Sequence, residues 1–387
     1  MREIVILDGV RTPFGRGVKG LFKDTRPDTL GALAIKEAVA RSGVDPKEIE
    51  DVVLGCAMPE GEQGLNVARV AAIGAGLPVE VPAMTINRFC SSGLQSIVNV
   101  ADRIAVGAIE FGVAGGIESM SMVPMTGNKP SLNPEFVERF PDVYTPMGVT
   151  AENVARKFGI TRADQDAFAF RSHQRAGKAI ADGKFTAESM AVATLVYEGT
   201  AHRAVTVDKD ECPRPDTSLE KLATLKPVFD PTGSVTAGNA SPITDGAAAV
   251  VVTYAERAKA MGKKPLGYLR HFAVAGVAPE LMGLGPIPAV RKVLAKAGMT
   301  IDQIDLFELN EAFAAQSLAC VRELGIDPEK ANVNGGAIAI GHPLGVSGTW
   351  LTLTILHELR RRGGRFGIVT MCIGGGMGAA AILESIP

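Results

Sequence analysis

The sequence has little of what would build a covalent or metal-bound scaffold. Its five cysteines, Cys56, Cys90, Cys212, Cys320 and Cys372, are an odd number with no Cys-x-x-Cys pair. That argues against a disulfide framework and a zinc site, so no metal is expected and a reducing cytoplasm fits best. Long apolar runs are missing too. None approaches the roughly 18 residues of a membrane span, and Arg2 to Asp8 reads as a strand rather than a signal peptide. Neither sign of charge dominates: 40 basic and 42 acidic residues leave a net charge of −2, which gives nucleic acid no electrostatic reason to bind. What is present is ordinary globular material, 387 residues of which 46% are hydrophobic. At roughly 150 residues per domain that is enough for two or three domains with a sizeable core. The 44 glycines cluster in short motifs, so many backbone segments must turn tightly or approach something closely.

The stretch around which the chain is best read is Asn87-Arg88-Phe89-Cys90-Ser91-Ser92-Gly93. A cysteine stands where a β-like segment, Ala83 to Ile86, gives way to a helix start, and Leu94, Ile97, Val98 and Ala101 follow at helical spacing. Unpaired N–H groups and the positive end of the macrodipole at a helix start favour thiolate, the reactive form. Taken alone, the stretch reads more readily as a small buried hydrophobe, which is what most free cysteines are.

Strands alternate with helices from the start, through strands near 3–8, 51–55 and 111–116 and helices near 30–39, 65–75 and 92–101, implying parallel strands and an α/β layer architecture. The final third repeats this order in constant register. Gly43 faces Gly298, Ile49 faces Ile304, Ser92-Gly93 faces Ser347-Gly348 and Phe111 faces Phe366, always 255 residues apart. Two copies of one α/β unit are therefore expected at 1–118 and 252–387. Between them, 119–251 is expected to form an inserted loop domain and the return into the core. It opens on a Met- and Pro-rich stretch, carries amphipathic helices at Thr150–Phe158 and from Arg162 to about Asp182, and ends in the turn-rich Thr236 to Pro242. An insertion of this size is expected to make a lid or binding subdomain.

If the two units pack about a pseudo-twofold axis, the Cys90 helix start faces the segment Gly341-His342-Pro343-Leu344-Gly345. The equivalent strand ends carry Asn310-Glu311-Ala312-Phe313 and Cys372-Ile373-Gly374. Singly, each is weak: a core histidine, a strand-end cap, a buried filler. Together, beside glycines that leave backbone N–H groups accessible, they suit acyl transfer through a thioester.

With these motifs in order, Cys90-Ser91-Ser92, Asn310-Glu311-Ala312-Phe313, Gly341-His342-Pro343 and Cys372-Ile373-Gly374, the chain resembles thiolases over essentially its whole length, most nearly the bacterial degradative 3-ketoacyl-CoA thiolases. The resemblance implies a thiolase fold, two duplicated α/β units in an αβαβα layering plus a loop domain. It implies Cys90 as the acyl-accepting nucleophile, His342 as its base, and Cys372 as the group that moves the second proton. Asn310 would hold a water that shares an oxyanion hole with His342. The N–H groups of Cys90 and Gly374 would form the other hole. Coenzyme A enters as substrate, with no permanently bound cofactor. Ser241 is placed near the pantetheine, Arg214 near the adenine end, Phe229 and Phe313 along the pantetheine tunnel, and Met147 beside the acyl pocket. The family also implies a homodimer or homotetramer, and docking to a hydratase/dehydrogenase partner.

Departures from the family pattern bear on substrate. Pro146-Met147-Gly148 stands where many short-chain acetoacetyl-CoA thiolases have His-Met-Gly, which leans towards the degradative type. Val346 replaces a frequent Ala or Cys and narrows local space, and Trp350 stands where arginine is common. The alternatives are a biosynthetic acetyl-CoA acetyltransferase making acetoacetyl-CoA and a non-catalytic acyl-CoA-binding relative. The second is disfavoured because all four motifs are kept. A ketoacyl synthase would need a second histidine where Asn310 stands. Cys56, Cys212 and Cys320 have no motif around them and read as structural.

Overall fold

The computed structural model describes residues 2–386. The first half runs β1 (Ile4–Arg11), α1 (Pro27–Ser42), β2 (Asp51–Gly55), α2 (Val67–Gly74), β3 (Ala83–Ile86), α3 (Ser92–Ala105) and β4 (Gly112–Ser119). The chain then leaves the core through α4 (Met147–Phe158), α5 (Arg162–Ala181) and a hairpin of β5 (Val192–Glu198) and β6 (Ala201–Val207), and returns as β7 (Thr244–Tyr254). The second half runs β8 (Gly267–Gly276), α6 (Pro286–Ala297), β9 (Leu306–Leu309), α7 (Ala314–Leu324), α8 (Ser347–Arg362), β10 (Phe366–Ile373) and β11 (Met377–Ser385).

The repeat is visible in the elements. Helices α1 and α6 end at residues 42 and 297, and α3 and α8 begin at 92 and 347, each pair 255 apart. Gly43 and Gly298, which follow the first pair, both adopt the left-handed conformation, with φ of 70° and 64°, where glycine pays no Cβ penalty. The main sheet has the order β9-β10-β11-β8-β1-β7-β4-β2-β3. It is nearly symmetric about the contact between β1 and β8, which pair only at Val5–Tyr268 and Ile6–Gly267.

Alternating residues along each strand feed different layers. On the outer face of the first half, α1 and α2 place Leu30, Ala34, Val67 and Ala71 on Val52 and Val113. On the outer face of the second, α6 and α7 place Val290, Val293 and Cys320 on Phe307 and Ile368. Their neighbours one residue on, Val53, Ala114 and Val369, point the other way and enclose α3 and α8 between the two halves of the sheet. That is the αβαβα layering, and it buries the starts and inner faces of the middle helices while their C-terminal ends reach solvent. One boundary differs from the periodicity: helix α4 begins at Met147 rather than Thr150, because Pro146, with φ of −58°, caps it directly. Strand β7 enters the main sheet at Thr244.

The middle helices meet through glycines. A Cβ on Gly93 would lie 2.7 Å from both the Gly345 carbonyl and Thr349 Oγ1, and one on Gly348 would run into the Leu94 backbone. Gly348→Ala is therefore expected to lower stability by about 1–3 kcal/mol despite the helical preference of alanine, read as a reduced urea midpoint at unchanged slope.

Candidate active site

Cys90 sits in the turn that joins β3 to α3, and this turn is built tightly. Phe89 has a φ of 43°, a left-handed conformation that costs a bulky residue of the order of 1–3 kcal/mol. Side chains hold it there. Asn87 accepts from the Phe89 N–H at 2.7 Å, and the Ser92 hydroxyl donates to the Phe89 carbonyl at 2.7 Å while accepting from the Arg88 N–H at 2.8 Å. The thiol is turned inward, 1% exposed, into a small apolar group with Ala57, Met120 and Leu344.

The expected lowering of the thiol is not what the structure yields. Burial pushes Cys90 up to about 12, aided by the charge of Glu118, against the N–H groups of Gly374 and of Cys90 itself, which favour thiolate. Desolvation outweighs the helix start. Cys372, at the end of β10, is pushed well above the ordinary thiol range by burial and then by its nearness to Cys90. At rest both cysteines are thiols, so ionisation needs a base at the moment of reaction.

His342 is held at three points. Its N–H donates to Thr244 Oγ1 at 3.1 Å, Nδ1 lies 2.6 Å from Ser347 Oγ, and Nε2 lies 3.2 Å from Asn310 Nδ2. The Ser347 hydroxyl donates to the Pro343 carbonyl at 3.1 Å, so it accepts from Nδ1–H. The lone pair is thereby left on Nε2, where the Asn310 amide donates to it. Burial pushes the ring down to about 4, so it is neutral and basic at Nε2. Asn310 Oδ1 is buried without a protein partner.

The structure brings the remaining expected residues to two places. Met147 and Phe313 pack beside Cys372 with Met282 and Ala312. Phe229 meets Phe313 edge to face with ring centroids 6.0 Å apart, and the Ser241 N–H donates to the Ala312 carbonyl at 3.0 Å. These side chains form one wall leading to the cysteines. Arg214 stands elsewhere, in a cleft of about 210 Å³ shared with Arg16, Lys221, Gly238 and Pro242. The cleft reaches the wall through Pro242, the neighbour of Ser241. Among the described residues no cluster of His, Cys, Asp or Glu is disposed to hold a metal ion.

Several supporting residues escaped the sequence. Ser347 and Thr244 orient His342, and Arg16 and Lys221 add charge beside Arg214. Glu311 receives the Ser172 hydroxyl at 2.6 Å, the Asn332 amide at 2.7 Å and the Ile338 N–H at 3.2 Å, tying α5 to the loop before His342. Glu118 does the same on the other side. The only sequence signal for Glu118 was a carboxylate ending an otherwise apolar, glycine-rich strand.

Comparison with known proteins shows the family and the fold. The family model for the thiolase N-terminal domain matches residues 4–256 and that for the thiolase C-terminal domain matches 263–385. The chain is 53% identical over 389 residues to the 3-ketoacyl-CoA thiolase of Bacillus subtilis (strain 168), covering 99% of this chain and 100% of that protein. It is 47% identical over 406 residues to the β-ketoadipyl-CoA thiolase of Pseudomonas aeruginosa, covering 100% of each. Among solved structures, the Bacillus anthracis acetyl-CoA acetyltransferase superposes with a TM-score of 0.91 at 42% identity, covering 100% of this chain and 99% of that one. The human mitochondrial 3-ketoacyl-CoA thiolase gives 0.90 at 40% identity, covering 100% and 99%.

A depressed imidazole has a thermodynamic signature. The unfolded chain takes up the proton near the ordinary value of about 6.5 while folded His342 resists until about 4, so this group withdraws stability as pH falls through that window. His342→Gln is expected to lose roughly 2 kcal/mol less than the wild type between pH 7 and pH 5, read from urea midpoints.

Proposed function

The chain belongs to the thiolase family and is an acyltransferase; we propose that it cleaves 3-ketoacyl-CoA with CoA, giving acetyl-CoA and a shortened acyl-CoA through an acyl-Cys90 intermediate. The observation that carries this reading is the meeting of Cys90, the Gly374 N–H and Cys372 at one buried point, with a neutral histidine whose lone pair is on Nε2, beside the Asn310 amide. In the first half-reaction, His342 Nε2 takes the Cys90 proton as sulfur attacks the ketone carbon. The N–H groups of Cys90 and Gly374 receive the oxygen of the attacked ketone, while the protonated ring, together with a water on the Asn310 amide, donates to the thioester oxygen of the acetyl-CoA unit that departs as enolate. The carbon–carbon bond breaks, and the departing acetyl-CoA enolate takes its proton from Cys372. In the second, the Cys372 thiolate takes the proton of the incoming CoA thiol, which attacks the thioester. The N–H groups of Cys90 and Gly374 receive that oxyanion, and His342 returns its proton to Cys90. Each positioned donor in such a dry site acts at several times its strength in water.

The cleft supports CoA as the partner. Arg16, Arg214 and Lys221 offer cationic groups for its phosphates, and the pantetheine then runs past Ser241 between Phe229 and Phe313 towards the cysteines. A β-oxidation substrate fits Pro146 in place of the short-chain histidine. The similarity to the B. anthracis acetyl-CoA acetyltransferase supports a second reading, synthesis of acetoacetyl-CoA. A homo-oligomer is supported by β3, the last strand at one end of the sheet. Leu65, 96% exposed, and Val79, 70% exposed, lie beside it, and a second copy laid along this edge would cover both.

The deciding experiment is the intact mass of the protein after mixing with a medium-chain 3-ketoacyl-CoA and no free CoA, followed by peptide mapping. A shortened acyl group on Cys90, absent from Cys90→Ala, is expected. An acetyl adduct from acetoacetyl-CoA alone would favour the biosynthetic reading, and no adduct from either would overturn both. Cys372→Ala is expected to lose about 10²–10⁴-fold in turnover. Arg214→Ala is expected to raise the KM for CoA about tenfold with kcat little changed, the mark of binding shared by ground and transition states.

A further inference from the structure

Glu118 is the penultimate residue of β4 and is fully enclosed, 1% exposed, yet its carboxylate faces donors only. One oxygen accepts from the Ala57 N–H at 2.8 Å and the Gly345 N–H at 2.7 Å. The other accepts from the Gln63 amide at 2.9 Å and the Met58 N–H at 3.4 Å, with the Cys56 sulfur at 3.8 Å. Gln63 is itself pinned, donating to the Met58 carbonyl at 2.9 Å and accepting from the Ser119 N–H. Donors on the first half (Ala57, Met58, Gln63) and a donor on the second (Gly345) thus converge on a single side chain. Burial raises the carboxyl and these hydrogen bonds oppose the rise.

What Glu118 joins is the catalytic geometry. Gly345 closes the loop that begins at Gly341-His342. Ala57 and Met58 form part of the apolar wall around Cys90, and Leu344 of the histidine loop completes it. The loop lies directly on the strand ends. A Cβ on Gly116 would collide with the Gly345 carbonyl, and one on Gly345 would lie 2.9 Å from both the Gly55 carbonyl and Glu118 Oε2. In the register of the repeat, Glu118 stands at the position of Ile373, 255 residues on. The strand end that carries Cys372 in the second half therefore carries this carboxylate in the first.

We propose that Glu118 is a positioning residue for the reaction: by accepting from Ala57 and Gly345 with one oxygen, it holds the His342 loop of the second half in register with Cys90 of the first. It touches no reacting atom and acts through His342. The proposal rests on the thiolase chemistry above for what His342 and Cys90 do, and on hydrogen bonds alone for what Glu118 does. Reach is the critical property. Aspartate keeps the charge but is one methylene shorter and cannot serve both halves. Glutamine keeps the reach and one acceptor oxygen but turns its NH₂ towards other donors.

The test compares wild type, Glu118→Gln and Glu118→Asp by steady-state kinetics, by the rate at which iodoacetamide alkylates Cys90 at pH 7, and by thermal unfolding. Both kcat and alkylation rate are expected to fall together in the order wild type, Gln, Asp. The Asp variant should lose about 10²-fold, the scale of an ångström-sized misplacement, while the KM for CoA stays within about twofold. A merely structural role would lower Tm and the active fraction without slowing alkylation of the folded protein. That outcome, or an Asp variant faster than Gln, or an unchanged kcat in both, overturns the proposal. Should Asp not fold, Gln alone decides: unchanged kcat and alkylation overturn the proposal, and a parallel fall supports it. The acyl adduct on wild-type Cys90 is scored in the same samples. Its absence would defeat the assigned reaction, whereas its presence with indifferent Glu118 variants would defeat only the role of Glu118.

Discussion

The close approach of two helix starts is the constraint on which the rest of the structure depends. Helices α3 and α8 come from opposite halves of the chain and share the inner layer. They can meet only because Gly93 and Gly348, equivalent residues of the repeat, put no side chain between them. Two consequences follow from that contact. The turn bearing Cys90 and the loop bearing His342 precede these helices, so drawing the helix starts together draws the two groups together. The positive ends of both helix macrodipoles are also brought to the same junction, which favours negative charge there.

Enclosure between two sheets sets the electrostatics. Burial dominates: it moves Cys90 up to about 12 against two N–H groups and His342 down to about 4, so each group is held in its uncharged form. A preformed ion pair would have to meet a large desolvation cost in such a place. In the proposed reaction charge arises only when substrate fills the site, where the N–H groups of Cys90 and Gly374 and a protonated His342 would receive it. The scaffold spends its polar contacts on orientation. Thr244, Ser347 and Asn310 fix the imidazole, Glu311 fixes the loop before it, and Glu118 fixes the loop after it. Apart from Ser347, which is near His342 in sequence, these contacts join residues distant along the chain, so the geometry of the site depends on how the two halves pack.

The outline of this arrangement was legible from residue spacing. The 255-residue register predicted which helices and strands correspond, and the elements obey it to the residue at the ends of α1 and α6 and the starts of α3 and α8. Cys90, His342 and Cys372 could be picked out because each lies in a short motif with a glycine at a strand end or helix start, and Asn310 because it stands at the end of the strand equivalent to Asp51–Gly55. Glu118, Thr244 and Arg16 could not. Glu118 looks like a solvated strand end until the loop at Gly345 is laid over it. Thr244 is one β-branched residue in a β-rich segment, and Arg16 is one of many surface cations. Their partners lie far along the chain, and single-sequence periodicity carries no information about such pairs.

The direction of the cysteine's ionisation marks the same division. A helix start at Cys90 is a local property that the amino-acid pattern predicts, and with it comes a pull towards thiolate. How much water reaches that sulfur is a global property, set by the second half of the chain covering it with Leu344 and the loop from Gly341 to Gly345. The local pull proves weaker than the desolvation. The sequence by itself therefore determined the α/β class and the duplication, which follow from local pattern and composition, and it singled out candidate reactive side chains through short motifs whose roles rest on the family resemblance. Only the tertiary structure decided their protonation states, the tautomer of His342 and the place of Glu118. Each of those depends on solvent exclusion and hydrogen bonds between segments that meet only when the two halves pack.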